Sequence, residues 1–283
     1  MSAMRQIVSF KMIRRLNRLC VRTGWKLFVP SAVMAACLLA LCAVLNTAVK
    51  YALDWFLLPY AQADGVSELL SVLYRHAGTA AACLLTAADA ALFTCGMQVQ
   101  ILKRYMKESA GYADVFYGFV HWTRPVWYAV LRALLSLIPA AAAAYAALRF
   151  PVWPVYAAGI AVCLMWQCAL FMLFGFSYAN MFDGRFPATK SMARSVKQLR
   201  GSRLRFFAFA VSRALVWLVL FGVCAGSAVL LWRGVYTAPY HWVLPAACAG
   251  SAVSLFALWL NVQLSVVSAY AALVRGAGQK NNA

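Results

Sequence analysis

The sequence predicts an all-α polytopic transmembrane helix bundle of about six spans, with amphipathic helices on its cytoplasmic side. Three observations lead there. Charged residues are scarce, apolar runs of bilayer length recur along the chain, and basic residues crowd into alternate connections. Of 283 residues, 65% are hydrophobic and 12% charged, and the mean hydropathy is +0.74. Soluble domains carry about 25% charged residues. A soluble chain this apolar lacks the polar surface to cover itself, whereas a bilayer solvates apolar faces directly.

A helical span needs about 20 mostly apolar residues. Six stretches meet that length: 27–49, 77–100, 125–148, 152–178, 206–232 and 244–273. The chain thus divides into a basic amphipathic helix (1–26), a transmembrane domain (27–273) and a short tail (274–283). The first run is longer than the roughly 7–15 apolar residues of a signal peptide, so it reads as an uncleaved span.

Net charge is +19, with 26 Lys+Arg against 7 Asp+Glu. Such a balance suits nucleic acid, acidic substrates or an anionic membrane surface, and its placement decides. The N-terminal segment, the second and fourth connections (Lys103, Arg104, Lys107 and Arg124; Arg185 through Arg205) and the tail hold nearly all of it. The opposite side holds Lys50, Arg75, Arg149 and Arg233. The positive-inside rule then puts both termini in the cytoplasm and accounts for the charge without nucleic acid. Trp25, Trp122, Trp127, Trp153, Trp232, Tyr236, Tyr240 and Trp242 flank the apolar runs, as interfacial aromatic belts do.

Two segments outside the spans have helical amphipathic spacing. Lys11, Arg14, Arg15, Arg18 and Arg22 share one face, opposite Met12, Ile13, Leu16 and Leu19. In the fourth connection Lys190, Arg194 and Lys197 oppose Met192, Val196 and Leu199. Pro187 suits the start of that helix and Gly201 its end. Both cationic faces fit anionic lipid headgroups. In the first external connection, residues 50–76, Ser67 is placed to cap a short helix through Tyr74.

The chain resembles an uncharacterised bacterial integral-membrane family, number 975 among the domains of unknown function. The features that carry the resemblance are the basic N-terminal helix, Cys95-Gly96-Met97, the motif Asp114-Val115-Phe116-Tyr117-Gly118-Phe119, and the segment 195–201 followed by Arg205-Phe206-Phe207. Where the family has a proline-glycine turn, this chain has Ile138-Pro139-Ala140. The resemblance implies a six-span architecture in a bacterial plasma membrane and no particular reaction. On physical grounds the Asp114 motif is expected to be a structural turn between spans, a binding motif being the alternative, with Gly118 allowing close approach or a bend.

Ionisable groups inside spans are costly and mark candidate sites. Asp89, Arg132 and Arg213 are those groups, and a buried Asp–Arg pair lining a polar pathway is the functional expectation for them. A structural pair, with either arginine snorkelling to headgroups, is the alternative. Thr86, Gln167, Asn261 and Gln263 add polarity within spans. The nine cysteines have no C-x-x-C spacing and read as packing residues. The three histidines have no ligand partners at metal spacing. No nucleophile elbow or P-loop occurs. No cofactor, metal or catalytic activity is expected. A non-enzymatic scaffold or regulatory component is the leading functional expectation. A permease-like protein for a small molecule, lipid or peptide is the alternative.

Overall fold

The computed structural model describes residues 10–61, 67–150, 152–232 and 243–275. Helices α1 (Phe10–Ala61) and α2 (Glu68–Tyr105) form the first hairpin. A 3₁₀ turn (Tyr112–Phe116) and a single-turn helix α3 (Tyr117–Val120) lead into α4 (Thr123–Arg149) and α5 (Trp153–Phe174), the second hairpin. Two short helices, α6 (Ser177–Asp183) and α7 (Ala188–Gln198), precede the third hairpin, α8 (Arg203–Trp232) with α9 (Val243–Tyr270). The most extensive packing lies within these three sequence-adjacent pairs. Among the described residues, six helices are long and apolar enough to cross a membrane. The protein is an all-α, multi-pass membrane protein.

Several elements run further than their apolar stretches. α1 has 52 residues, roughly 78 Å at 1.5 Å per residue, against a hydrocarbon core of about 30 Å. The basic segment therefore continues without a break into the first span, and Pro30 lies inside the same helix. The backbone carrying Lys11, Arg14, Arg15 and Arg18 is helical, but their side chains lie outside the described set; Arg22 is exposed. At the other end, Lys50 and Asp54 pair at 2.7 Å one turn apart. Mutual neutralisation lets the helix carry both charges past the expected boundary to Ala61. Ser67 does cap a helix, its hydroxyl accepting from the Leu70 amide at 3.4 Å. That helix is α2 itself, so the short capped helix is the start of span two.

The buried core sits at one end of the bundle. Phe28, Ala32 and Ala35 of α1 meet Phe93, Met97, Ile101 and Leu102 of α2 there. Phe176, Leu199, Phe206, Phe209 and α9 residues 264–270 complete it. This is also the end carrying Lys103, Arg104, Arg185, Lys190 and Arg194, and we call it the basic end. Toward the far end large apolar side chains face outward, among them Val44, Trp55, Ile138, Tyr145, Trp153 and Val216. Outward apolar faces of this kind are what membrane-spanning helices present to the bilayer.

The Asp114 motif turns back along α2. Gly96 faces the Val115 carbonyl and Gly118 faces the Leu92 carbonyl so closely that a Cβ on either glycine would overlap the opposing backbone. Asp114 pairs with Lys103 and accepts from the Gly111 amide at 2.8 Å. Gln100 Nε2 donates to Ser31 Oγ at 2.8 Å and to the Gly111 carbonyl at 2.9 Å, tying turn, α1 and α2 together. The motif is a structural turn, as its composition suggests. Further along, the fourth apolar stretch breaks after Phe174. Ser195 satisfies the break, accepting from the Phe176 amide at 3.2 Å and donating to the Leu173 carbonyl at 2.9 Å. α7 has the expected faces: Lys190, Arg194 and Lys197 exposed, Met192 and Leu199 buried. Gly201 follows with φ +87°, a conformation glycine adopts without strain.

Candidate functional site

Four helix faces enclose a cavity of about 500 Å³ near the basic end. α2 contributes Ala87, Ala90, Ala91, Thr94 and Gln98, and α4 contributes Tyr128, Ala129, Arg132, Ala133 and Ser136. α5 and its C-terminal cap supply Gln167, Phe171, Phe174 and Gly175, Tyr178 of α6 adjoins them, and α9 supplies Trp259, Val262, Gln263 and Val266. Each set recurs at three- and four-residue steps, so each is one stripe of its helix. The alanines of α2 and α4 leave the space, and the aromatic residues of α5 and α9 bound it.

The lining is mostly apolar, with a few polar groups and charge of one sign. Arg132 is its only formally charged residue, and no aspartate or glutamate lines it. Arg132 forms no ion pair with a described residue. Gln98 donates through Nε2 to Gln263 Oε1 at 2.7 Å. Gln98 Oε1 has no partner, although the residue is only 3% exposed. Gln167 Nε2 donates to Ser136 Oγ at 2.8 Å, which donates onward to the Arg132 carbonyl at 2.9 Å. Tyr128 and Tyr178 meet edge to face at 4.7 Å, and the Tyr128 hydroxyl donates to the Phe174 carbonyl at 3.4 Å. The site thus holds one fixed cation, amide and hydroxyl groups, and apolar walls.

Of the three intramembrane charges expected to act together, only Arg132 reaches this cavity. Asp89 lies on the α1 side of α2, where Asn46 Nδ2 donates to its Oδ2 at 3.0 Å and to Thr86 Oγ1 at 3.2 Å. α2 continues to Tyr105, placing Asp89 roughly 24 Å from that end at 1.5 Å per residue. Arg213 lies on α8, with its Nε buried and unpartnered. The expected Asp–Arg pair does not form among the described residues. Sequence reasoning passed over Asn46 and Gln98. Their signal was an amide within or beside an apolar run, and which neighbour each meets depends on helix rotation.

Asn46 gives a direct test of this polar contact. Asn46→Ala leaves the Asp89 carboxylate without its donor, at a cost of about 1–3 kcal/mol. The expected result is a lower detergent melting temperature and lower yield. Asp89→Asn in the same background should restore most of both, since a neutral amide is cheaper to bury.

A second cleft of about 520 Å³ opens at the basic end between Glu108, Tyr117, His121, Arg124, Asp183 and Arg185. Its size matches the cavity, but its acids and bases offset each other. Burial holds the Tyr117 phenol above its ordinary range, and Arg124, Arg185 and Lys103 pull against that shift. A cleft of balanced charge selects no ligand sign, so the α2/α4/α5/α9 cavity is the stronger candidate. Among the described residues, no group of three or more His, Cys, Asp or Glu side chains is placed to hold a metal.

No family model, curated protein or solved structure matches the chain. The six-span membrane architecture therefore rests on the chain's own composition and geometry.

Proposed function

We propose that the protein is a non-enzymatic, multi-pass protein of a bacterial plasma membrane that binds an anionic ligand in the α2/α4/α5/α9 cavity. The basic end and both termini face the cytoplasm, by the distribution of Lys and Arg. The observation carrying this reading is Arg132, the lone charge of a cavity without acids. A guanidinium withdrawn from water costs several kcal/mol unless a counter-charge meets it. Arg132 is half-buried and its side chain is hydrogen-bonded to the neutral Tyr128 hydroxyl; the described residues supply no counter-charge, and a ligand anion would. This favours the permease-like alternative over a scaffold, with Arg132 rather than an Asp89–arginine pair as its centre.

The test is equilibrium binding of two probes, inorganic phosphate and acetate, to purified protein in detergent. Charge-assisted hydrogen bonds contribute about 1.5–3 kcal/mol. Arg132→Gln should therefore weaken the better probe by about tenfold to a hundredfold. Arg132→Lys should fall between, since it keeps the charge and loses the fork. Absence of saturable, Arg132-dependent binding of either probe would sink the reading.

A scaffold role remains the second reading, favoured by the exposed cationic face of α7. There Lys190 Nζ and Arg194 Cζ stand 4.9 Å and 4.7 Å from the Phe186 ring. Such a face suits anionic headgroups, and loss of partner association, or of anionic-lipid enrichment around the protein, in a Lys190, Arg194 and Lys197 triple glutamine variant would support it.

A further inference from the structure

We infer that the ligand is an anionic amphiphile, its head group at Arg132 and its acyl tail in a neighbouring crevice between α4 and α5. The inference rests on the preceding reading of the cavity and adds the chemical class. The crevice has a volume of about 360 Å³ and is lined by apolar or small side chains, including Ala143, Ala144, Gly159, Ile160 and Leu164. Its one amide is Gln167, which also lines the cavity. The two spaces therefore meet at a shared wall residue. Ala144 lies further along α4 than Arg132, by roughly 18 Å at 1.5 Å per residue. A cationic chamber joined to an apolar crevice of that reach has the polarity profile of a single-tailed acid or phosphate ester. The unpartnered Gln98 Oε1 adds an acceptor for a head-group hydroxyl or a singly protonated phosphate.

The tail's contribution differs from that in water. A chain already dissolved in lipid gains little hydrophobic free energy on entering a protein crevice. Membrane partitioning raises its local concentration, and the crevice selects its shape. Head-group charge should thus dominate affinity and crevice shape should modulate it.

The experiment uses full-length protein in phosphatidylcholine nanodiscs, with empty nanodiscs as background. The probes are dodecyl phosphate, dodecanol and inorganic phosphate. Dodecyl phosphate should bind saturably and dodecanol should not. Arg132→Gln should weaken dodecyl phosphate by about tenfold or more. Ala144→Phe fills the crevice from an exposed position and should weaken dodecyl phosphate several-fold while leaving inorganic phosphate binding intact, which also reports that the variant is folded. Cys163→Phe, entering from α5, should behave alike. If both crevice variants leave dodecyl phosphate unchanged, or free phosphate binds as tightly as the ester, the amphiphile inference is overturned and the anion cavity stands. If neither phosphate probe binds in an Arg132-dependent way, both fall together.

Discussion

Gly96→Val is expected to remove most of the folded protein from the membrane. The opposing group is the Val115 carbonyl, a backbone atom that no rotamer change can move away. Overpacking that relaxes through side chains costs about 1–3 kcal/mol. Here the whole 3₁₀ turn must lift off α2, and the Lys103–Asp114 pair and the Gln100–Gly111 bond go with it. The expected cost is at the upper end of that range or beyond, enough to lower abundance several-fold. Gly118→Leu should do the same through the Leu92 carbonyl. Gly222→Ala is the control: nothing lies within 4 Å of its would-be Cβ, and alanine is the better helix former. Quantitative immunoblotting of membranes and detergent melting curves measure all three. Near-wild-type yield for Gly96→Val and Gly118→Leu would show that the turn is not held against α2.

Ser136→Glu is expected to abolish anion binding while leaving the fold intact or firmer. The residue follows Arg132 by one helical turn, within ion-pairing reach, and lines the same cavity. A carboxylate there supplies from within the counter-charge that a ligand would otherwise bring. Phosphate affinity should drop at least about tenfold, and thermal stability should hold or rise. Ser136→Gln adds nearly the same bulk without charge, so binding should largely survive. Equal losses in the two variants would assign the effect to bulk and remove charge from the explanation.

Span number, the polarity of the charge distribution, the two faces of α7, the Ser67 cap and the Gly201 terminus were all legible in the sequence. Each depends on local periodicity or on one residue's intrinsic geometry. The extent of α1 was not, because Lys50 and Asp54 look like a boundary until they are seen to neutralise each other. The cavity was half legible. Arg132 and Gln167 stood out as polar groups in apolar runs. Ala87, Ala90 and Ala91 look like ordinary small packing residues until helix rotation sets them opposite Ala129 and Ala133. Asp89 illustrates the remaining gap: its charge was obvious, but Asn46 is an uncharged neighbour from another helix, and no spacing rule names such a partner.

The uneven packing of the bundle bears on how the chain is made. Each hairpin joins helices adjacent in sequence, so each completes its own contacts soon after its second helix emerges during synthesis. The core of the basic end is different, since it gathers Phe28 from near the start of the chain and Tyr270 from near its end. Insertion can therefore proceed hairpin by hairpin, while closure of the basic end, and with it the α9 wall of the cavity, waits for the last span.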